Sequence, residues 1–270
     1  MLLALSAVAI GQAAFSAECQ LGCSRLVGAT PGNTDRLFCG CARFPMPPES
    51  AVQAFERRSE LQEIELRGYS ATTLISVELP ELSRQGELEL RRVYTAPKTL
   101  EFTPVRFTGD NFVKTNVIAR LLQSEVTRLQ NPQRAATAIN AANYKIAFKG
   151  TSQIDGRLVH EYRLKPRQRR VGLFEGRMFL DVFSGSLVRS EGLLVKMPSW
   201  VLKKVEFVQD YADIGNFTFL KHTHSVANAR IIGRTVVEIH HYNYLFPPTA
   251  PAAVDEQRLA EAGTGLLSGH

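Results

Sequence analysis

Alternating apolar and polar positions dominate the second half of the chain. Over residues 172–244 the alternation is broken only by turn-forming residues, and no window of this stretch has a helical period. Such a pattern predicts a meander of antiparallel strands. Apolar residues occur on both faces of these strands, and a sheet of this kind needs a partner layer to bury them. We therefore expect the sheet to curl around another part of the chain.

A helix and three strands are predicted ahead of this meander. The helix begins at Pro48, because proline is tolerated in the first turn, and it continues to about Leu66. Alternation then predicts strands at residues 69–79, 87–95 and 99–107. These three strands form a second, shorter meander.

A second helix is predicted after this shorter meander. Asp110 or Asn111 caps its start, and Asn131-Pro132 closes it. Its apolar positions fall on one face, which makes the helix amphipathic. That face consists of Phe112, Ile118, Leu122, Val126 and Leu129.

A hairpin joins the two meanders. Asp155-Gly156 is a strong two-residue turn signal between strands at residues 144–150 and 157–164. The total is roughly ten strands and two principal helices. The predicted class is α+β, mainly β, and the most economical architecture is a strongly curved antiparallel half-barrel wrapped around the helices.

Changes in composition divide the chain into four segments. Residues 1–17 have the outline of a secretory signal peptide, since they carry no charged side chain, contain an apolar run and end in small residues. Residues 18–47 form an aperiodic extension, and residues 246–270 form a flexible tail rich in Pro and Ala. The half-barrel occupies residues 48–245. No Lys or Arg precedes the apolar run, so a buried N-terminal helix is the alternative to a signal peptide.

Four cysteines lie close together after the predicted signal peptide: Cys19, Cys23, Cys39 and Cys41. An even number of cysteines in an oxidising compartment predicts disulfides that staple a segment with little core of its own. Three pairings can be drawn, and a four-thiolate zinc site is the alternative, although C-x-C spacing fits zinc poorly. The sequence around Cys19 and Cys23 does not match a lipoprotein signal. We therefore expect a soluble protein of the periplasm or cell envelope.

The positive net charge of the chain restricts the kinds of partner that it can bind. The net charge of +6 and the pI near 9.2 fit either a nucleic-acid binder or a protein that works near anionic lipid. An exported protein does not meet the nucleic acid of the cell, so the predicted export excludes nucleic acid as a partner. A basic loop is either a solvated hairpin end or a contact for anionic lipid head groups or an acidic partner. Its cations are Lys165, Arg167, Arg169 and Arg170.

Histidines near the end of the long meander are the best candidates for a metal site. They are His222, His224, His240 and His241. Residues two apart in a strand share a face, and histidine is the commonest transition-metal ligand. The sequence has no G-x-S-x-G elbow, no P-loop, no G-x-G-x-x-G and no H-E-x-x-H, so no other catalytic motif competes with them.

Strand register decides whether these histidines meet. A turn at residues 228–229 keeps the two pairs apart, whereas a turn at residues 232–233 places His224 opposite His241. In the second register Glu238 is the one nearby acidic residue that could complete a site. Polar positions on an exposed sheet face explain these residues more simply, and we expect no metal and no cofactor.

Short motifs along the chain resemble one superfamily. They are Gly176 and Asp181 in one strand, Arg189-Ser-Glu-Gly192 in the next, Met197-Pro-Ser-Trp200 ahead of Lys203-Lys-Val-Glu-Phe207, and Arg230-Ile-Ile-Gly233 before the last strand. With the order of helices and strands between about Pro48 and Tyr244, they resemble the exported LolA-like superfamily, which includes periplasmic lipoprotein carriers and sensors related to RseB. The resemblance implies an unclosed curved sheet with helices in its hollow and an apolar cavity for acyl chains. The arginine that gates the cavity of such carriers has no matching position here.

The expected function is that of an exported, non-enzymatic binding protein that holds a lipid, acyl chain or lipoprotein in an apolar cavity. The predicted cavity residues are Trp200, Met178, Leu180, Phe207, Leu122 and Val126. Trp200 has a second interpretation, as a core aromatic residue. The expected partners are acyl chains and an anionic membrane surface. A protein-interaction or envelope-sensing module on the same scaffold is the alternative, and a metal-dependent enzyme is a more distant one.

Overall fold

Ten antiparallel strands form one sheet in the structure, a computed structural model that describes residues 44–131 and 134–247. The strands are β1 (Gly68–Leu79), β2 (Arg84–Thr95), β3 (Thr99–Gly109), β4 (Tyr144–Ile154), β5 (Arg157–Pro166), β6 (Phe174–Asp181), β7 (Leu187–Leu194), β8 (Leu202–Ile214), β9 (Phe217–Ala229) and β10 (Gly233–Leu245). Their spatial order is β3-β2-β1-β10-β9-β8-β7-β6-β5-β4. The edges β3 and β4 do not pair with each other, so the sheet is not closed into a barrel.

The two faces of the sheet differ in burial. On β10 the side chains of Val237, Ile239 and His241 are buried, whereas Glu238 and His240 between them are more exposed. We call the buried side, on which the helices pack, the inner face, and the opposite side the outer face. This alternation is what the sequence pattern predicts, and the predicted fold class is confirmed.

Close strand approach and register irregularities bend the sheet. The pairing of β4 with β5 slips between Phe148 and Gly150, and similar irregularities occur in the β2–β3, β6–β7 and β8–β9 pairings. Bulges of this kind increase the local twist and bend the strand that carries them. Gly176 of β6 faces Gly192 of β7, and a Cβ at Gly176 would lie 1.9 Å from the carbonyl oxygen of Glu191. Glycine is therefore required where these two strands meet.

Helix α1 (Pro48–Glu65) begins at the predicted proline and is fixed to the inner face near both ends. Near its start, the hydroxyl of Tyr162 donates a hydrogen bond to the carbonyl oxygen of Pro48 at 2.7 Å. Near its end, the Gln62 side chain donates to the carbonyl oxygen of Thr218 at 3.2 Å and accepts from its backbone N–H at 3.0 Å. This buried glutamine thus pairs with a strand as a backbone peptide would.

Helix α2 is continuous but not uniform. It consists of Asn111–Val113, a π-helical turn at Lys114–Ile118 and a longer α-helical part at Ala119–Gln130. As predicted, Asp110 caps its start, and its carboxylate accepts from the Phe112 N–H at 2.7 Å.

The buried face of α2 differs from the predicted one. Its buried residues are Val113, Val117, Ile118, Leu121 and Glu125. Of the five predicted positions only Ile118 is fully buried. A π-turn inserts one extra residue, so positions on its two sides do not follow a single 3.6-residue period. A hydropathy pattern also does not predict that a glutamate such as Glu125 is buried.

Several predictions of the sequence lie outside the described residues. These are the signal peptide at residues 1–17, the disulfides of Cys19, Cys23, Cys39 and Cys41, and the tail beyond residue 247. The division into four segments accordingly stays a prediction. Among the helices that the structure describes, none is long and apolar enough to cross a membrane.

Candidate functional site

Three of the predicted cavity residues meet on the inner face. Met178, Leu180 and Phe207 are almost fully buried, and they belong to the same apolar cluster as Phe55 of α1 and Leu121 of α2. Helix α1 packs against β6, whereas α2 packs against β1, β2 and β3. The three residues therefore lie on the inner face of the sheet, and their contact with a ligand stays a prediction.

The other three predicted cavity residues are less buried. Leu122 is partly buried and packs against the apolar cluster, and Val126 is partly buried one turn later on α2. Trp200 is 75% exposed in the loop between β7 and β8, so it is not a core aromatic residue. Its backbone carbonyl accepts a hydrogen bond from Arg230 at 2.8 Å.

A line of buried polar side chains crosses the inner face. The Tyr211 hydroxyl donates to Gln209 at 3.0 Å, and Gln209 donates to Thr223 on the next strand at 3.4 Å. Further along, Thr73 of β1 contacts the Nδ1 atom of His241 at 2.9 Å. The inner face is therefore apolar with a polar centre, which suits an amphiphile better than a pure hydrocarbon.

A buried ion pair ties α2 to the sheet. The guanidinium of Arg92 on β2 lies 2.9 Å from the carboxylate of Glu125, and both side chains are less than one-tenth exposed. Arg92 also donates to the Tyr69 hydroxyl at 3.2 Å. Burial alone would lower the pKa of Arg92, but the charge of Glu125 and the contact with Tyr69 outweigh it and raise the pKa.

Sequence reasoning did not single out Arg92, although a signal was present. In β2, alternate positions starting from Leu88 point inward, and they continue through Leu90 to Arg92. A cation at an inward position of a strand needs a buried partner, because an unpaired charge is strongly disfavoured there. The partner comes from α2, and only the tertiary structure identifies it.

His241 is the second polar residue of interest on the inner face. Its side chain is buried, and no described residue bonds to its Nε2 atom. Burial, together with the nearby charge of Arg92, lowers the pKa of His241 well below its usual value, so the ring is neutral at neutral pH. A neutral imidazole with one unused nitrogen can donate to or accept from a ligand.

The loops at one end of the sheet form a continuous surface, which we call the loop rim. It comprises residues 80–83, 167–173, 195–201 and 230–232. Arg169 donates to the Val195 carbonyl at 3.1 Å, which joins two of these loops, and the N–H of Arg234 at the start of β10 donates to Glu81 at 3.1 Å. The hydrogen bond from Arg230 to the Trp200 carbonyl joins loop 230–232 to loop 195–201.

The loop rim combines exposed apolar side chains with positive charge. Trp200 and Ile231 are 75% and 70% exposed, and Val171 and Leu82 are also exposed. The sequence stretches 165–173, 195–204 and 230–234 contain no Asp or Glu but many Lys and Arg. All four predicted basic residues, Lys165, Arg167, Arg169 and Arg170, are exposed within or beside this surface.

Histidines on the outer face are arranged differently from both predicted registers. β9 and β10 pair with His222 opposite His240 and His224 opposite Glu238. His241 points to the inner face, so the predicted meeting of His224 with His241 is wrong. The turn lies at residues 230–232, between the two predicted positions, and Gly233 after it has a positive φ of 69°. Sequence alone did not indicate a three-residue turn.

Comparisons with known proteins find similarity at the level of structure. No family model and no curated protein matches the chain. A DUF1329 family protein from Desulfovibrio piger is 9% identical, with 76% of this chain and 95% of that chain covered and a TM-score of 0.39. A putative outer membrane lipoprotein-sorting protein domain from Vibrio parahaemolyticus is 9% identical, with 78% and 95% covered and a TM-score of 0.38.

A third solved structure, a LolA superfamily protein from Nitrosomonas europaea, is 8% identical, with 75% of this chain and 94% of that chain covered and a TM-score of 0.34. This is the superfamily that the sequence motifs resemble.

Proposed function

We propose that this protein is a non-enzymatic binding protein that holds the acyl chain of a lipid or lipoprotein between the inner face of its sheet and helix α2. The supporting observation is that a large apolar face in an unclosed sheet is covered by an amphipathic helix, and that a buried ion pair fastens this helix. Met178, Leu180 and Phe207 line the surface that an acyl chain would contact. An acyl chain would reach them once the helices that pack on the inner face move away.

The ion pair makes α2 suitable as a movable cover. Attraction between Arg92 and Glu125 is largely offset by the cost of removing both charges from water, and this cost is recovered when the helix lifts. The apolar side chains that α2 buries, such as Val117 and Leu121, oppose this displacement. Burial of an acyl chain contributes about 0.8 kcal/mol per methylene, so ten carbons supply about 8 kcal/mol toward displacing the helix.

Polar groups of the inner face suit the polar part of such a ligand. The unused Nε2 atom of His241 lies in the same region as the Arg92 guanidinium. An ester or carboxyl group can hydrogen-bond to a neutral imidazole. The ligand class is therefore an amphiphile with a hydrogen-bonding group next to its hydrocarbon.

The loop rim is the surface that we assign to an anionic membrane. An exposed tryptophan ring is suited to the interface between head groups and acyl chains, and each basic residue near an anionic bilayer contributes about 1 kcal/mol of attraction. Together with the export expected from residues 1–17, this supports our proposal that the protein works in the cell envelope.

Acyl binding can be tested with one matched pair of variants. Native mass spectrometry of protein purified gently from an envelope extract should show a reproducible added lipid mass. Leu122→Glu places a charge on the partly buried side of α2, and Gln123→Glu places the same charge on its exposed side. We expect Leu122→Glu to weaken binding of a fluorescent fatty acid at least about tenfold, since burying an unpaired charge costs several kcal/mol.

The control variant Gln123→Glu should bind the fatty acid as the unmodified protein does. Circular dichroism and thermal unfolding would establish that both variants are folded. Absence of any lipid mass and of fatty-acid binding in the unmodified protein would contradict the proposal and favour the protein-interaction alternative.

Membrane contact should be visible in the fluorescence of the single tryptophan. We expect emission from Trp200 to shift to the blue with vesicles rich in phosphatidylglycerol and not with phosphatidylcholine vesicles. Replacing both Lys196 in the loop rim and Lys203 at the adjoining start of β8 by Glu should weaken vesicle binding at least about tenfold, because two attractive charges become repulsive. Lys149→Glu/Lys221→Glu, the same change away from the loop rim, should have a small effect. Equal losses in the two double variants would contradict a specific role for the loop rim.

A further inference from the structure

We propose that the outer face of β9 and β10 carries a binding site for a divalent transition-metal ion, with Zn²⁺ as the best match. The ligands are His222, Glu238 and His240. This site is separate from the inner face and does not depend on the proposed acyl binding. It also differs from the absence of metal expected from the sequence, because the observed strand register brings together residues that neither predicted register joined.

Strand geometry places the three ligands side by side. His240 lies directly opposite His222, and Glu238 precedes His240 by two residues on the same face of β10. One ligand atom from each of the three side chains lies within 4.8 Å of the others. Ligands of a tetrahedral zinc ion at about 2.1 Å lie roughly 3.4 Å apart, so small side-chain rotations suffice to close the site.

A surrounding shell of residues orients His222 for metal binding. Its Nδ1 atom lies 3.3 Å from the carboxylate of Asp210 on β8, and Asp210 is held in turn by the Nε–H of Arg189 at 2.5 Å. Metal-binding histidines typically donate their second ring N–H to a carboxylate in this way. With the ring hydrogen on Nδ1, the lone pair of Nε2 faces Glu238 and is available to a metal ion.

Two carboxylates flank the ring of His222, an arrangement that attracts a cation. The Nε2 atom of His222 lies 2.6 Å from the second carboxylate, that of Glu238. A neutral imidazole has one ring hydrogen and can satisfy only one of its two carboxylate neighbours. A metal ion between Nε2 and Glu238 satisfies both contacts and recruits the ring of His240, which stacks on His222 with centroids 4.5 Å apart.

The ligand set also indicates which ion binds. Two imidazole nitrogens and one carboxylate form a set that zinc proteins use, whereas Mg²⁺ prefers an oxygen shell with several waters. His240 is exposed, so water can complete the coordination. A bound ion would join β9 to β10 through their side chains.

Isothermal titration of the full 270-residue chain with Zn²⁺, and separately with Mg²⁺, tests the site. His240→Ala and Glu238→Gln each remove one ligand. Glu206→Gln removes a carboxylate from the same outer face of β8, away from the cluster, and serves as the matched control. The four cysteines can also bind zinc, so the informative quantity is the difference between each variant and the unmodified chain.

We expect the unmodified chain and Glu206→Gln to bind one more equivalent of Zn²⁺ than His240→Ala and Glu238→Gln, or to bind it at least about tenfold more tightly. Zinc should raise the unfolding temperature of the unmodified chain more than that of His240→Ala. Cobalt bound at this site should show d–d bands without sulfur charge transfer. Equal zinc binding by all four proteins, no binding by the unmodified chain, or equal preference for Mg²⁺ would overturn the proposal.

Discussion

Replacing Glu125 by leucine should lower the free energy of unfolding by about 3–5 kcal/mol, because it leaves the buried guanidinium of Arg92 without its counter-charge. Both side chains are nearly inaccessible to water, so solvent cannot compensate for the lost carboxylate. Denaturation in urea, followed by circular dichroism, measures the change. The slope of the transition should stay the same if the variant still unfolds in two states.

Two further variants separate the ion pair from general damage to α2. The double variant Arg92→Leu/Glu125→Leu removes both charges and should recover most of the lost stability, since an apolar pair often replaces a buried ion pair without loss. Glu175→Gln breaks the exposed pair with Arg163 and should cost less than about 1 kcal/mol. If Glu125→Leu is as mild as Glu175→Gln, the buried pair does not fasten the helix.

Replacing Phe55 by alanine should destabilise the protein by about 3–5 kcal/mol, the typical cost of removing a fully buried aromatic ring. Phe55 is 1% exposed and is the large apolar side chain by which α1 enters the core. Thermal unfolding and denaturant unfolding both report the loss.

Ile64→Ala provides the control on the same helix. Ile64 is 64% exposed, so its replacement should change the free energy of unfolding by no more than about 0.5 kcal/mol. Phe55 and Ile64 are both large apolar residues of α1 and differ mainly in burial. Equal effects of the two variants would show that α1 packs with a different face from the one described.

Strands were predictable from the sequence because their signal is local. Alternation with a period of two located all three strands of the shorter meander, β1 to β3, to within a few residues. Asp155-Gly156 correctly marked a hairpin turn. Proline and aspartate likewise identified the starts of the two helices. These features depend on neighbouring residues, which is why a single sequence suffices for them.

Features that depend on distant residues were not predictable in the same way. Burial of Glu125 requires Arg92 from another element, and the π-turn of α2 shifts its buried face. The pairing of His222 with His240 depends on a three-residue turn that leaves no clear signal. Each error therefore occurred where tertiary contacts, and not local periodicity, decide the outcome.

The order of the strands has a consequence for how the chain reaches its native state. β1, near the start of the described chain, pairs with β10 at its end, and Ser70 lies opposite Leu245. Pairing between such distant segments is slow, since a long loop must close before any contact forms. During synthesis one edge of β1 therefore stays unpaired until the last hairpin has been made. A chain that is interrupted before β10 would keep this edge exposed, where it can aggregate or bind a chaperone.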